Sequence, residues 1–395
     1  MKILVICQYY YPEPFRITDI CESLAKEGHD VTVLTGLPNY PEGKIFKDYR
    51  FGKKRHEIIS GVKVIRSFEI GRGSRKFQLF LNYLSFTVSA SIKALTINEK
   101  FDVVLVNQLS PVTMGIPAIV YKKKYKTKIL LYCLDLWPAS LSAGGIKEDS
   151  IIYKPFLKVS KWIYSSADSM AVTSSMFKEY FKSTIGMNIE NIQHIPQYAE
   201  DLFTEAVEMP VNNKFNFVFA GNIGDMQSVE TIVKAANELR DHNDINFHIV
   251  GDGSKLEECI MLSNNLKLGN IIFYGRKPIS EMPQYYSLAD AMLITLKDNT
   301  AISYTLPGKV QSYMAASKPI IGAINGEASR VIKEADCGFC CAAEDVKELA
   351  NIILEFCKSD KKEIMMENSY DYYIKNYSKS NFMSALEETL NKLEG

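Results

Sequence analysis

Short apolar segments separated by helical periods are the feature that most limits how this chain can fold. In the first half, continuous apolar runs occupy residues 2–7, 30–35, 62–68, 102–106, 129–133 and 169–173. Between the first two runs, residues 19–27 have the spacing of an amphipathic helix. Strands that are apolar on both faces need helices on both sides, so this alternation predicts a doubly wound parallel sheet. Ligands of such sheets bind at the carboxyl ends of the strands.

The same alternation begins again near Pro210 and gives a second set of strands. These are predicted at residues 215–220, 245–250, 271–274, 291–295 and 320–323. A chain of 395 residues is long enough for two domains of ordinary size. The sequence therefore predicts an α/β fold of two Rossmann-like, doubly wound domains facing a central cleft. We place the domains at 1–205 and 206–375, with a linker at 205–214, and a helix at 376–395 that could pack back on the N-terminal domain.

Composition is that of a soluble globular protein, with 47% apolar and 23% charged residues. The net charge of zero hides an asymmetry between the two halves. Residues 1–200 carry 27 Lys and Arg against 18 Asp and Glu, whereas residues 201–395 carry 19 against 28. The basic first half predicts an anionic partner, such as an anionic lipid or a phosphorylated substrate.

The eight cysteines point to a reducing compartment. Only Cys337, Cys340 and Cys341 are clustered, and no second pair or histidine stands at zinc spacing. We therefore predict reduced thiols, no metal and a cytoplasmic protein. Residues 2–7 are too short for the apolar core of a signal peptide. No apolar run reaches 18 residues, so no membrane-spanning segment is predicted.

Residues 305–323 predict an anion site. Pro307 and Gly308 open a helix of small residues, Lys309 lies in its first turn, and an apolar strand follows. The start of a helix exposes unpaired backbone N–H groups and the positive end of the macrodipole, so anions bind there readily. A lysine in that first turn is unfavourable unless a negative group lies beside it. The segment thus predicts a phosphate site, the alternative being an ordinary turn with a solvated lysine.

Three glycine-rich turns in the second half support that prediction. They are the loops at 220–228, which ends at a predicted helix N-cap on Ser228, and at 251–254 and 275–278. Glycine lets a backbone approach a ligand closely, and Arg276 and Lys277 add two cations to the third turn. Together with Lys309, these turns predict a diphosphate ligand. No phosphate-binding P-loop or Gly-x-Gly-x-x-Gly motif is present, so dinucleotide binding is poorly supported.

Several motifs resemble family 4 of the retaining GT-B glycosyltransferases, and the resemblance extends over essentially the whole chain. The matching segments are 9–14 (YYYPEP), 28–35 (GHDVTVLT), 36–43 (GLPNYPEG), 135–138 (DLWP), 221–224 (GNIG), 250–253 (VGDG) and 305–321. The chain looks most similar to a bacterial subgroup that includes the L-fucosamine transferases of O-antigen and capsule synthesis. The resemblance implies a GT-B fold, with a UDP-linked N-acetylated amino sugar such as N-acetyl-fucosamine in the second domain. It also implies a lipid-diphosphate-linked saccharide acceptor in the first domain, with neither metal nor cofactor required.

The sequence departs from the family pattern at the positions of its two glutamates, which fall on Tyr304 and Ser312. The usual arginine of the Gly221 loop is also absent, and the position of a common histidine falls near Leu134, which is apolar. Their roles pass to neighbouring polar residues. The predicted donor-binding residues are Asn222, Gln227, Asp252, Arg276, Lys277, Thr305, Gly308, Lys309, Gln311 and Ser312. The predicted catalytic residues are Lys309, Glu13 and Asp135, and the predicted acceptor-side residues are Glu13, Arg16, Asn39, Asn107 and Trp137.

The resemblance implies transfer on the front face of the donor, without a protein nucleophile. The protein then positions the substrates and stabilises charge that grows on the β-phosphate. For Glu13 and Asp135 an alternative stays open, in which Glu13 only orders its loop and Asp135 caps a turn. Two other classes of function also stay open, a GT-B sugar-nucleotide epimerase and an inactive sugar-nucleotide-binding partner of a transferase.

Basic and aromatic residues in the first half suggest contact with a membrane. Residues 44–55 contain six cations and three aromatic residues, and Arg72, Arg75 and Lys76 precede the apolar segment 77–92. Such a mixture predicts peripheral contact with the anionic inner face of the cell membrane, where a lipid-linked acceptor would be presented. The alternative is that residues 77–92 form a buried helix and the basic residues form a solvated face.

Overall fold

The computed structural model describes residues 1–73, 75–143, 145–146, 149–151, 153–204, 207 and 213–394. The chain forms two compact units, Met1–Ile195 together with Met383–Gly395, and Pro196–Phe382. Most of the predicted linker at 205–214, including Pro210 and the boundary between 205 and 206, lies outside the described residues.

The described residues form two largely parallel sheets, whose strands alternate with helices along the chain. The strands are β1 (Lys2–Ile6), β2 (Asp30–Thr35), β3 (His56–Ile59), β4 (Val62–Arg66), β5 (Val103–Gln108), β6 (Lys128–Cys133), β7 (Ser169–Val172), β8 (Ile192–His194), β9 (Phe215–Ala220), β10 (Ile245–Val250), β11 (Ile271–Gly275), β12 (Ala291–Thr295), β13 (Ile320–Ala323) and β14 (Gly338–Cys341). The α-helices are α1 (Ile17–Lys26), α2 (Lys76–Thr96), α3 (Ile116–Tyr125), α4 (Ser140–Ala143), α5 (Tyr153–Ser166), α6 (Phe177–Tyr180), α7 (Val229–Glu238), α8 (Leu256–Asn265), α9 (Met282–Leu288), α10 (Thr300–Ser303), α11 (Gly308–Ala315), α12 (Gly326–Glu334), α13 (Val346–Lys358), α14 (Lys362–Tyr377) and α15 (Lys379–Glu394).

The sheet of the first unit has the order β3-β4-β2-β1-β5-β6-β7-β8 within the described part of the chain. Strand β1 lies at its centre, with Ile3 paired in parallel register to Val31 on one side and Val103 on the other. Strand β3 is antiparallel to β4 and forms one edge. The chain order therefore reverses beside β1, the point at which ligands approach such sheets.

The sheet of the second unit has the order β11-β10-β9-β12-β13-β14, and each described pairing in it is parallel. Alternate residues of β9 enter different core layers. Phe217 and Phe219 pack in the layer that includes α7 and α13, whereas Val218 and Ala220 pack in the layer that includes α11. Both faces of β9 are thus buried, which explains why the strand is apolar throughout. Burying each phenylalanine contributes roughly 1.5–3 kcal/mol.

The last residues of the chain pack in the first unit. Leu386 and Leu390 of α15 are buried, and Glu387 Oε1 lies 3.0 Å from His29 Nε2 in the turn before β2. A carboxylate next to an imidazole anchors this end of the helix at its surface. None of the described helices is both long enough and apolar enough to cross a bilayer.

Candidate functional site

Glycines end the central strands of the second sheet and bring their backbones close together. The Gly221 N–H donates to Val250 O at 2.9 Å, and the Gly251 N–H donates to Gly275 O at 3.0 Å. Gly251 has φ +146°, and a Cβ added to it would lie 1.8 Å from Gly221 O. Only glycine fits such a position. This edge therefore offers backbone, rather than side chains, to an approaching ligand.

Lys309 reaches from the start of α11 to this glycine edge. Pro307 precedes the helix and Gly308 begins it, as the sequence predicts. The Lys309 Nζ atom lies 3.8 Å from the centroid of the Phe219 ring, and a Cβ on Gly221 would lie 3.1 Å from Nζ. The Nζ atom is buried and has no hydrogen-bond partner among the described residues.

Burial lowers the pKa of Lys309 to about 7. The stem of the side chain is half-buried, but Nζ itself is shielded from water, so the loss of hydration acts on the charged group. A buried ammonium without a counter-ion is costly, and an anion beside it would favour the charged form. Lys309 belongs to the first turn of α11, and both its ammonium and the positive end of the helix suit a phosphate group.

Polar residues in α11 and just before it bind the local backbone. The Ser312 hydroxyl donates to Gly308 O at 3.2 Å, and the Thr305 hydroxyl donates to Ile302 O at 2.7 Å. With its amide nitrogen turned toward the helix start, Gln311 donates to Pro307 O at 3.0 Å and to Gly308 O at 3.2 Å. These three predicted donor ligands thus bind their own backbone, and direct contact with a donor stays a prediction.

Tyr313 is a residue of this site that sequence reasoning missed. Its hydroxyl accepts from the Ala220 N–H and donates to Ala220 O, both at 3.1 Å. Because the ring is fully buried, this pair of bonds fixes α11 against the end of β9. The sequence did contain a sign of this role, because Tyr313 is a large aromatic residue in a helix that the sequence predicts to be rich in small residues.

The loop after β9 is closed by its own side chains. Gln227 Oε1 accepts from Asn222 Nδ2 at 3.0 Å and from the Gly224 N–H at 3.2 Å. The two predicted donor ligands of this loop are therefore brought together. Ser228 is the N-cap residue of α7, as predicted, although its side chain makes no capping hydrogen bond. Its backbone is left-handed and its hydroxyl bonds to the Thr231 hydroxyl instead.

The cations of this unit are more dispersed than the sequence suggested. Arg276 and Lys277 follow β11, the edge strand, which lies two positions or about 10 Å from β9. Arg276 is exposed, and Lys277 Nζ lies 3.9 Å from Glu281. Lys309 is the predicted cation that lies at the central strand, and donor contacts by the other two stay predictions.

Asp252 and Asp225 show how the acidic groups of the donor loops are placed. Asp252 is exposed, and its Oδ1 accepts from the Gly253 N–H at 2.7 Å. Asp225 lies 3.0 Å from Lys297, a cation that sequence reasoning missed. The negative charge of Asp225 is thus compensated within the loop region.

In the first unit, Glu13 connects two loops at the carboxyl edge of the sheet. It is buried, and its Oε1 accepts from the N–H groups of Asn39 and Tyr40 at 2.8 and 2.7 Å. Burial raises the pKa of Glu13 to about 7 against the effect of these bonds. Asn39 Oδ1 in turn accepts from the Arg72 N–H at 2.9 Å. These contacts favour the alternative in which Glu13 orders its loop.

A second buried carboxylate, Glu69, was missed from the sequence. Its Oε1 accepts from Gln8 Nε2 at 2.7 Å and from Asn82 Nδ2 at 2.5 Å. Burial raises the pKa of Glu69 well above its ordinary value. A Cβ on Gly36 would clash with this carboxylate. The glycine after β2 was thus the one local sign in the sequence that a side chain packs closely there.

Asp135 and Trp137 are joined through Ser110. The Ser110 hydroxyl donates to Asp135, and its oxygen accepts from Trp137 Nε1 at 2.6 Å. Burial raises the pKa of Asp135. Two further predicted acceptor-side residues lie on the same edge, since Asn107 is buried in β5 and Arg16 immediately precedes α1. The polar groups of Asp135 and Trp137 thus form a short chain at the ends of β5 and β6.

Two Rossmann-like domains in one chain, each with its polar loops at the carboxyl edge, define the GT-B class. Residues 16–197 match the family described as Glycosyltransferase Family 4. Residues 204–375 match the family described as Glycosyl transferases group 1. The chain is therefore a GT-B glycosyltransferase built from these two family domains.

Curated relatives cover most of the chain. It is 28% identical over 318 residues to a protein of Pseudomonas aeruginosa named as the glycosyltransferase WbjE, which covers 75% of this chain and 76% of that protein. It is 23% identical over 334 residues to a protein of Escherichia coli named as the colanic acid biosynthesis glycosyl transferase WcaI, covering 80% and 81%.

Solved structures confirm the predicted fold. Sucrose-phosphate synthase from Thermosynechococcus elongatus superposes with a TM-score of 0.77 at 15% identity, covering 99% of this chain and 98% of that one. The Anabaena protein HepE, in complex with UDP and glucose, superposes with a TM-score of 0.72 at 16% identity, covering 99% of both chains.

Proposed function

We propose that this chain is a retaining, hexosyl-type glycosyltransferase that moves a sugar from a UDP-sugar to a lipid-linked saccharide during bacterial surface polysaccharide synthesis. The observation that carries the donor side of the proposal is the buried Lys309 ammonium at the glycine edge of the second domain. The relative named for colanic acid biosynthesis supports the pathway class. The UDP and glucose in the HepE complex support the donor class.

The donor diphosphate lies, in this proposal, against Lys309 and the first N–H groups of α11. These groups supply positive charge where the β-phosphate gains negative charge, so the transfer is proposed to need neither metal nor cofactor. The bond between the anomeric carbon and the β-phosphate oxygen breaks as the acceptor oxygen attaches on the same face. The acceptor's proton passes to the departing phosphate oxygen. An N-acetylated amino sugar such as N-acetyl-fucosamine remains the donor expected from the sequence resemblance.

The first domain supplies the acceptor side of the proposal. Asp135 is proposed to bind the acceptor hydroxyl, held in place by Ser110. Glu13 is proposed as a positioning residue, because its carboxylate is occupied by the N–H groups of Asn39 and Tyr40. A lipid-linked acceptor would be presented at the inner face of the cell membrane.

Turnover of a panel of nucleotide sugars by the purified chain tests the proposal. We expect slow hydrolysis of one UDP-sugar and faster transfer when a lipid-diphosphate saccharide is supplied. Lys309→Ala should lower transfer far more than it lowers donor affinity measured by calorimetry. Donor binding without hydrolysis or transfer would instead indicate a binding subunit, and interconversion of two sugar nucleotides would indicate an epimerase.

A further inference from the structure

Helix α2 carries a continuous line of exposed apolar side chains, which we name the α2 stripe. It consists of Phe77, Phe80, Leu84, Val88, Ile92 and Leu95, each between 47% and 69% exposed. Their spacing of three or four residues keeps them on one side of the helix. The sequence alternative, in which residues 77–92 form a buried helix, is therefore wrong for this face.

The opposite side of α2 is firmly attached to the first domain. Asn82, Phe86, Ala90 and Ala94 are fully buried. The α2 stripe is thus a surface that the domain presents on a fixed helix. Over the 21 residues of α2 it extends for about 30 Å.

Two more exposed apolar residues broaden the α2 stripe. Ser85 Oγ accepts from the Ile70 N–H at 3.0 Å, and Ser89 donates to Phe68 O. These bonds hold the segment after β4 alongside the helix. Phe68 and Ile70 are 57% and 40% exposed. A contiguous apolar patch of this kind on a folded domain indicates an interaction surface.

The charged residues of α2 and of its N-cap are all positive. The sequence of α2 contains no aspartate or glutamate, and Arg75 and Lys76 stand at its beginning. At its other end, Lys124 Nζ donates to Leu95 O and Ile97 O, both at 2.8 Å. Apolar side chains between cations suit a bilayer surface with anionic headgroups.

We propose that the α2 stripe docks flat on an anionic membrane, with its apolar side chains at the boundary between headgroups and acyl chains. Arg75 and Lys76 then contact lipid phosphates. A second copy of the chain fits this face less well. Whether two α2 helices paired parallel or antiparallel, cations would face cations with no carboxylate on the helix to compensate them. The inference rests on the proposed function only for the lipid nature of the acceptor.

Vesicle co-sedimentation of the full-length chain, without donor or acceptor, tests the docking. The chain should bind vesicles of phosphatidylglycerol and phosphatidylethanolamine, and bind phosphatidylcholine vesicles more weakly. Val88→Glu with Ile92→Glu should weaken binding by about tenfold or more, since two apolar contacts become charged. A matched control is Ile364→Glu with Ile374→Glu, which changes two exposed isoleucines of α14 and should leave binding unchanged.

A separate variant tests the electrostatic contribution to membrane docking. Arg75→Gln with Lys76→Gln should weaken binding to anionic vesicles by about fivefold per cation and reduce its salt dependence. The V88E/I92E variant should keep that salt dependence. Unchanged vesicle binding by V88E/I92E would overturn the proposal. Dissociation of a dimer by V88E/I92E in light scattering, with vesicle binding intact, would assign the face to self-association and also overturn it.

Donor hydrolysis separates this inference from the proposed function. V88E/I92E should hydrolyse a UDP-sugar at the unaltered rate, since the α2 stripe lies outside the donor domain. Vesicle binding without any sugar transfer would leave the docking surface standing and contradict the proposed function. Transfer to a lipid-linked acceptor without vesicle binding would support the proposed function and contradict the docking surface.

Discussion

The ammonium of Lys309 lies 3.8 Å from the centroid of the Phe219 ring. The negative face of an aromatic ring offsets part of the hydration that a buried cation loses, by about 0.5–2 kcal/mol. It does so without accepting a conventional hydrogen bond, so the N–H groups of the ammonium stay available for an anion. Phe219 is itself fixed in the core by β9, which holds Nζ at the glycine edge before any donor arrives.

Replacing Lys309 should stabilise the protein while it impairs function. With its pKa lowered from 10.5 to about 7, the folded state lacks a proton that the unfolded state holds between those values. Stability therefore rises with pH through this window. Below the window Lys309 is charged in both states, and the destabilisation caused by its burial has its full size. Lys309→Met should raise the free energy of unfolding at pH 6 by about 1–3 kcal/mol.

That gain should shrink toward pH 10 in urea titrations. Lys297→Met is the control, because Lys297 is paired with Asp225 and its pKa is raised. This variant should lose up to about 1 kcal/mol at the same pH. A Lys309→Met variant no more stable than the parent at pH 6 would contradict the burial argument.

Donor binding should be linked to proton uptake. At pH 8 the free Lys309 is mostly neutral, and a diphosphate beside it would restore the charged form. Calorimetric titration with a UDP-sugar in buffers of different ionisation enthalpy should show uptake of close to one proton at pH 8 and almost none at pH 5.5. The uptake should vanish in Lys309→Met, and its persistence there would assign the proton to another group.

Alanine substitutions at two glycines of this edge, Gly251 and Gly221, should lower stability by different amounts. Gly251→Ala places Cβ against a carbonyl oxygen 1.8 Å away and should destabilise the chain by about 3 kcal/mol or more. Gly221→Ala meets the movable end of Lys309 instead, so about 1–2 kcal/mol of backbone strain is expected. Donor affinity should also fall in that variant because Nζ is displaced.

Gly269→Ala supplies the control, since nothing lies within 4 Å of its added Cβ. It should change stability by less than about 1 kcal/mol in the same urea titrations. Equal effects of the three alanine variants would contradict the close approach of β9 and β10.

The role of Glu13 can be separated by two substitutions. Glu13→Gln keeps an oxygen that can accept both backbone N–H groups, and turnover should stay within about threefold. Glu13→Ala leaves the two backbone N–H groups without that acceptor, so the free energy of unfolding should fall by about 2–4 kcal/mol. If Glu13 were instead a catalytic base, Glu13→Gln and Glu13→Ala would both lose turnover, and to a similar extent.

The pH dependence of stability gives an independent check on Glu13. Its pKa is raised from 4.5 to about 7, so the folded state holds a proton in this window that the unfolded state has released. Stability should therefore fall as pH rises from 4.5 to 7. Thermal melts of Glu13→Gln should lack this contribution.

Asp135 should be needed for transfer rather than for donor binding. Asp135→Asn preserves an oxygen for the Ser110 hydroxyl, so the fold should survive. We expect turnover to fall about tenfold or more with donor affinity unchanged. Trp137→Phe is the companion variant, because it removes the indole bond to Ser110 and part of the buried ring while it leaves Asp135 in place. A loss of donor affinity in Asp135→Asn would contradict the acceptor-side assignment.

Much of the fold could be predicted because continuous apolar runs fit only buried parallel strands. The runs at 215–220, 245–250 and 320–323 became β9, β10 and β13 without a change in their bounds. Strand β3 was missed because its sequence, His-Glu-Ile-Ile, is half polar and belongs to an edge. Strand β14 was missed because its four residues looked like a cysteine cluster rather than a strand.

The site was predictable only where local chemistry left a signal. Pro307, Gly308 and Lys309 indicated the helix start correctly, because the macrodipole argument needs no distant residue. The bond between Glu69 and Gln8 joins residues 61 positions apart, and nothing in the sequence near either one announces it. The placement of Arg276 and Lys277 depends on strand order, which glycine-rich turns do not reveal.

The return of the last helix to the first domain has a consequence for synthesis on the ribosome. Leu386 and Leu390 complete the core of a domain whose other residues end at Ile195. The ribosome must make residues 196–382 before that helix exists, which takes roughly 10–40 s at ordinary elongation rates. During that interval the side chains that pack against Leu386 and Leu390 lack this partner. The domain translated first thus depends on residues that are translated after those of the second domain.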